Sequence, residues 1–544
     1  MTGPSVLQRR PVEVPTGAAA SATASAASAE PACFCDLHLD HVVATITAGR
    51  EVYELTPFFH APLADPDDVA YRHEVFFDLA DDARRAVIAG FGRDMRLVRE
   101  QRSRAAALTD PRQGWRVYLD AALTYCSAVS RLASGLAEHP PDSRALGDLA
   151  AYLTQYTDSE AFTSLRAEAT RIEGALGAVR YQLTVEQDRV VVRRASEAPD
   201  DGAAIARTFA RFGGERAGSE RAGSDGVGSD GVGGERFGAG PRRLRREHRR
   251  DDPAMNQIES AVLERVARLY PDAFGALEAF AKRYQTYLEP VLATFDREIQ
   301  FYLATLEYVA RFERAGLPFC YPSVSASDKA VRARDAYDAA LAHGLLAGGG
   351  SVVCNDFELR PQERIFVVTG ANQGGKTTFA RTFGQLHYLA ALGCPVPARE
   401  AALYLFDQVH THFEQEEDVR TLRGKFQDEL MRMHDLLEHT TDRSIVILNE
   451  ALTATTSHDA ALVGRQVLSR LLEHDVLGVW VTFIDELASL DPAVVSLVCG
   501  VDPDDPARRT FELRRRPADG RAHAIAIARA HQLTYAELRR RLPS

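Results

Sequence analysis

The stretch GANQGGKTT, Gly370–Thr378, limits what this chain can fold into more than any other. An apolar run, Ile365-Phe366-Val367-Val368, leads into it, and FARTFGQLHYLAAL follows with helical spacing. Strand, glycine loop and helix in that order are the context in which the pattern GxxxxGK[ST] holds phosphate. Glycines let backbone N–H groups close around phosphate oxygens, and the helix N-terminus adds its dipole. Gly370, Ala371, Asn372, Gln373, Gly374, Gly375, Lys376, Thr377 and Thr378 are therefore the predicted nucleotide-binding residues. Lys376 would neutralise the β- and γ-phosphates, and the Thr377 hydroxyl would join a Mg²⁺ shell.

Downstream, RSIVILNEALTATTSHDA (443–460) begins as a buried strand, with Ile445, Val446, Ile447 and Leu448 running unbroken to Asn449-Glu450. Its separation from the glycine loop lets the two lie side by side in one sheet. Glu450 would then orient or deprotonate an attacking water, a role that depends on placement more than on a large pKa shift. The plainer reading is a carboxylate that caps the following loop. Asn449 stands where an acidic residue would hold magnesium-bound water. An amide keeps the carbonyl acceptor and loses the charge, which predicts weaker metal affinity rather than none.

The bulk numbers are those of ordinary globular protein: 544 residues, 45% hydrophobic and 26% charged, enough for two to four domains. A net charge of -12, from 64 Lys and Arg against 76 Asp and Glu, argues against indiscriminate coating of nucleic acid while allowing a local basic surface. No apolar run reaches the roughly 18 to 20 residues of a membrane helix, and no signal-peptide core is present. Seven scattered cysteines suit a reducing compartment. A cytoplasmic protein with no membrane partner is expected.

Composition divides the chain. Residues 1–32, Ala/Ser-rich, read as a disordered leader. Residues 33–195 read as a mainly helical region, in which Leu119, Leu123, Cys126 and Val129 share a face, closed by a hairpin around Gln187-Asp188. Residues 196–255 are a Gly-rich insertion ending in RRLRREHRR, either a solvated basic stretch or a phosphate contact. Helices resume over 256–325, and alternating strands and helices over 326–544 predict a parallel sheet with crossovers.

These motifs resemble the MutS family of ATPases in DNA mismatch repair and recombination. GANQGGKTT follows the family's GPNMGGKST position by position. NEALTATTSHDA is similar to its DE pair and Ser/Thr-rich continuation, retaining Glu450, Thr455, Thr456, Ser457 and Asp459. GKFQDELMRMHDLL resembles its STFMxEM helix through Phe426 and Glu429, and CNDFELRP resembles its approach to the ATP site. The resemblance is specific over roughly 335–535 and looser elsewhere. It implies an α/β P-loop NTPase domain of ABC type, preceded by a helical core and lever region with a small β-hairpin. It further implies ATP and Mg²⁺ as cofactors, Lys376 and Glu450 as catalytic residues, and Thr377 and Asn449, the latter through water, at the metal. DNA is the implied partner, with homodimerisation through the ATPase domains in a nucleoid-associated protein.

Four departures qualify this picture. Asn449 replaces an acid; Gly424-Lys425 stand where the family has trans-acting Ser-Thr, leaving Asp459 as the other trans candidate; Phe483 follows Thr482 where the family commonly has His. No Phe-x-Glu mismatch wedge occurs in the chain. The competing expectations are an ATP-operated DNA clamp of MutS type and an ATP-binding regulatory or scaffolding protein with little hydrolysis and no mismatch specificity. A small-molecule kinase lacks a convincing acceptor site. Two weaker metal candidates are Cys33, Cys35 and His38, and His410, His412, Glu414 and Glu416, the latter more simply a polar loop near the nucleotide.

Overall fold

The computed structural model describes residues 2–10, 12–13, 29–186, 189–195, 257–413, 424–502, 508–518 and 532–541. They divide into two compact units, one within 1–86, 139–151 and 289–544, the other within 87–138 and 152–288. This differs from the contiguous segments expected from composition. The helices of 33–86 and Pro290–Glu313, which the sequence groups with the lever region, fall in the same unit as the glycine loop. The reason is burial: Pro290–Glu313 hides residues all around its circumference, as only a core helix can.

Among the described residues the first unit carries ten strands from residue 323 onward. They are β1 (Ser323–Ser325), β2 (Val331–Ala336), β3 (Asn355–Leu359), β4 (Ile365–Thr369), β5 (Glu400–Tyr404), β6 (Val409–Phe413), β7 (Ile445–Asn449), β8 (Leu477–Val481), β9 (Val494–Val501) and β10 (Arg509–Arg515). Six form one sheet in the order β6-β7-β8-β4-β9-β10, the first five parallel and β10 antiparallel. Every residue of β4, β7 and β8 is buried, which is why these strands read as continuous apolar runs rather than alternating ones. A second, four-stranded sheet runs in the order β1-β5-β2-β3.

The helix Lys376–Ala391 after the glycine loop is buried along most of its length. Phe357, Phe366, Phe379 and Phe383 pack around its first turns in mainly edge-to-face geometry. Gly384 brings it close to its neighbours, since a Cβ there would lie 2.6 Å from Leu37 Cδ2 and 2.8 Å from Ile447 Cδ1. Gln385 ties it to the short helix Cys33–Leu37, donating to Leu37 O and to Asp338 Oδ1, each at 2.8 Å.

Among the described residues the second unit is helical with one hairpin. Tyr181–Glu186 pairs with Arg189–Arg194, and Val179, Tyr181, Val266 and Phe274 form its core, with Val262 packed against it. Of the four residues expected on one face, Leu119, Cys126 and Val129 are buried and Leu123 is half-buried. The Gly-rich, basic segment 196–255 lies outside the described residues.

The leader expected to be disordered over 1–32 is corrected for residues 5–7, while most of its Ala/Ser-rich stretch, 14–28, lies outside the described residues. Ser5, Val6 and Leu7 are buried, held by side chains of residues 71–72 and 298–302. Composition could not reveal this because the partners lie up to 296 residues away. Among the described residues no helix is long and apolar enough to cross a membrane.

Candidate functional site

Parallel strands deliver their C-terminal ends to a single sheet edge, where ligands of open α/β sheets bind. The glycine loop follows β4, Asn449-Glu450 closes β7, and Thr482-Phe483 follows β8, which pairs with both. Thr482 N donates to Val368 O (3.1 Å) and Glu450 N to Val481 O (2.9 Å), locking the three exits together. The loop has positive φ at Gly370 (112°) and Gly375 (98°), conformations that glycine alone adopts freely. Gln373 joins them at 58°, its side chain exposed like that of Asn372.

Lys376 is 4% exposed. Its Nζ donates to Gly370 O at 3.0 Å, Asn372 Oδ1 at 3.3 Å and Ala371 O at 3.5 Å. Burial pulls its pKa below the usual lysine value, opposed chiefly by the charge of Glu450. The Phe483 ring, half exposed, lies with its centroid 4.3 Å from Nζ. An aromatic face in this position holds the ammonium by cation–π attraction.

Thr377 Oγ1 donates to Asn449 Oδ1 at 2.9 Å. The two side chains predicted for the metal are thus in contact across the sheet edge, with the Glu450 carboxylate next in the chain. Two neutral oxygens form a hard donor pair that suits Mg²⁺. Glu450 and Leu452 both have positive φ, 56° and 65°. Leu452 N is gripped by Glu429 Oε1 at 2.6 Å, and His412 Nε2 stands 3.7 Å from the same oxygen, beyond hydrogen-bonding range. Burial favours the neutral acid, yet His412 and the Leu452 amide hold the Glu429 carboxyl below its usual pKa. Glu429, identified in the sequence only by its match to a helix motif, thereby fixes the turn that carries Glu450.

The three residues expected to act in trans are arranged around their own helices. Gly424 is the exposed N-cap of Lys425–His439, and it offers no capping side chain where a Ser would. Thr456 caps Ser457–Glu473, its Oγ1 accepting from Asp459 N at 3.2 Å and donating to Asp459 Oδ2 at 2.8 Å. The position of the Lys425 side chain lies outside the described ones.

His410 and His412 are on β6, at the sheet edge, rather than in a loop; Glu414 and Glu416 lie outside the described residues. Cys33 is buried in the helix Cys33–Leu37, and burial pushes its thiol pKa to about 12. Among the described residues no group of three or more His, Cys, Asp or Glu is placed to hold a metal.

Three neighbours of the glycine loop escaped the sequence reading. Arg509 Nε donates to Asn372 O at 3.1 Å, and Cys499 lies against Gly370 and Gly374. Phe511, half exposed with φ 60°, stands beside Gly375, whose added Cβ would lie 3.9 Å from it. Asn355 clamps that strand, donating from Nδ2 to Phe511 O (3.1 Å) and accepting at Oδ1 from Leu513 N (2.7 Å). All three come from β9 and β10, over a hundred residues downstream, and no local motif announces them.

Residues 366–506 match the family model of MutS domain V. The chain is 27% identical over 253 residues to the DNA mismatch repair protein MutS of Lactobacillus gasseri, covering 45% of this chain and 28% of that protein. It is 30% identical over 206 residues to the Endonuclease MutS2 of Gemmatimonas aurantiaca, covering 37% and 25% respectively. To the DNA mismatch repair protein MutS of Chloroflexus aurantiacus it is 32% identical over 182 residues, 32% of this chain and 19% of that one. The chain therefore spans less than a third of the length of each of these relatives.

Proposed function

Because the chain belongs to the MutS family through the domain V it carries, we propose that it binds and hydrolyses ATP with Mg²⁺ to operate a DNA clamp in mismatch repair or recombination. The observation that carries this reading is the contact of Thr377 with Asn449 beside buried Lys376, at the common edge of parallel strands. Its fold would be that of a P-loop NTPase of ABC type. ATP supplies the scissile phosphoanhydride, and Mg²⁺ the charge that stabilises the leaving phosphate.

The residues divide the work. Backbone N–H groups of Gly370–Gly375 take phosphate oxygens, and Lys376 exchanges its bonds to loop carbonyls for the β- and γ-phosphates. Thr377, with Asn449 through a water, would hold the metal. Glu450 orients or deprotonates the attacking water, its turn steadied by Glu429. Two copies would face each other through these domains.

Filter binding of homoduplex, mismatched and branched DNA across a salt series, with and without ATP, tests the proposal. Nucleotide-sensitive binding whose log affinity falls steeply with log salt is expected. Insensitivity to nucleotide on all three DNAs would overturn it.

A second reading, an ATP-dependent switch with little hydrolysis, draws on the Phe483 ring lying against Lys376 and on Gly424 in place of a capping hydroxyl. Steady-state turnover separates the two. A native rate no higher than that of Lys376→Ala or Glu450→Gln favours the switch.

A further inference from the structure

Apart from the pairing of Gly3 with Val12, the segment Gly3–Arg9 is held mainly by side chains of the body of the first unit. Each carbonyl of its centre has a donor: Tyr71 Oη gives to Ser5 O at 2.8 Å, Tyr302 Oη to Val6 O, and Arg72 Nε to Leu7 O at 3.1 Å. Glu298 receives Ser5 Oγ at 2.9 and 3.0 Å and Val6 N at 2.8 Å. Ser5 Oγ in turn accepts from Leu7 N and Gln8 N at 3.2 and 3.0 Å. Beyond the buried part, Arg9 pairs with Asp65, Asp67 and Asp68.

This is how a receptor reads an extended peptide, with backbone bonds for affinity and pockets for side chains. The selectivity is visible. Gly3 is required because a Cβ would lie 2.5 Å from Val291 Cγ2, Ser5 because its hydroxyl meets Glu298, and small aliphatics follow at 6 and 7. Arg72 and Glu298 are themselves buried, 4% and 5% exposed. These values hold with the segment in place, which both pairs the two charged groups and covers them from water. Arg72 is also a bridge. While Nε holds Leu7 O, its Nη1 donates to Leu392 O at 2.7 Å, the C-cap of the helix Lys376–Ala391 whose first turn faces the nucleotide site.

We propose that Tyr71, Arg72, Glu298 and Tyr302 form a peptide-binding groove. Its ligand is a linear segment of the pattern Gly-x-Ser-aliphatic-aliphatic-x-Arg, here residues 3–9 of the same chain, and occupancy is felt at the end of the helix Lys376–Ala391 through Arg72. This stands independently of the nucleotide reading.

The test uses the full chain with a specific protease site introduced within residues 14–28, cut after folding, so that no variant has to fold without its segment. The cut segment is expected to co-elute with the body and to be displaced by excess labelled synthetic peptide of residues 2–10. A Val6→Asp peptide should compete at least about tenfold less well, as a buried valine made ionic requires. Hydrogen exchange at the amides of Leu392, Gly393 and Cys394 should rise when the groove is emptied by dilution and fall when native peptide is added back. Immediate loss of the cut segment, failure of native peptide to displace it, or equal competition by the Val6→Asp peptide would overturn the binding site. Displacement with unchanged exchange at 392–394 would overturn the coupling.

Discussion

Thr377 Oγ1 and Asn449 Oδ1 meet at 2.9 Å, joining the first turn of the helix after the glycine loop to the end of β7. A carboxylate in the place of the amide would bring a unit negative charge to a proposed magnesium site. At about 4 Å in water such a charge is worth roughly 1 kcal/mol per cation charge, more where solvent is excluded. For the two charges of Mg²⁺ that is roughly 2 kcal/mol, so Asn449→Asp should lower the Mg²⁺ concentration for half-maximal ATP turnover by about thirtyfold. A Mg²⁺ titration of native and variant protein checks it, and superimposable curves would sink the account of Asn449.

Lys376 and Glu450 should fail differently. Lys376→Ala removes charged hydrogen bonds worth about 1.5–3 kcal/mol, so nucleotide affinity should fall roughly 10- to 100-fold. Glu450→Gln leaves the loop intact and should bind ATP as native protein does while turnover drops at least about a hundredfold. Fluorescent-nucleotide titration beside single-turnover hydrolysis distinguishes them.

His387 sits within the helix Lys376–Ala391, wholly buried, with Nδ1 2.8 Å from Phe383 O. Burial lowers its pKa from the ordinary 6.5 to about 4. Between those values the unfolded chain binds the proton and the folded one does not, so stability rises with pH and is lost as pH falls from 6.5 toward 4. This one residue should cost roughly 2 kcal/mol between pH 7.5 and pH 5, at about 1.4 kcal/mol per pH unit of difference. Urea unfolding at the two pH values should show that loss in native protein and its absence in His387→Phe. Equal losses would refute it.

Gly478 in β8 faces Val446 O of the neighbouring strand so closely that an added Cβ would lie 2.2 Å from it. A backbone oxygen inside a paired parallel sheet cannot swing aside. Gly478→Ala should destabilise by about 1–3 kcal/mol or more, visible as a lowered melting temperature. Ala at Gly147, where nothing lies within 4 Å, is the matched control and should cost nothing comparable.

The parts that could be read from the chain alone are those whose causes are local. Unbroken apolar runs at 365–368 and 445–448 mark strands covered on both faces, and their polar ends mark the edge where chemistry gathers. The glycine loop needs positive φ within a few residues of its lysine, so its glycines stand together in the sequence. Phe426 and Glu429 could be matched to a motif, but the motif does not say that Glu429 would grip the amide of Leu452.

The amino-acid sequence by itself determined the strand, loop and helix around Lys376, because backbone sterics and side-chain periodicity act over a handful of neighbours. Only the tertiary structure decided which distant groups meet there. Phe483 reaches Lys376 because β8 lies between β7 and β4, and Arg509 and Phe511 because β9 pairs with β4 and β10 with β9. Ser5-Val6-Leu7 are ordered despite a featureless neighbourhood because Glu298, Tyr302 and Arg72 supply the hydrogen bonds that their own sequence cannot. Those bonds depend on long-range packing, and a reading of neighbouring residues has no access to it.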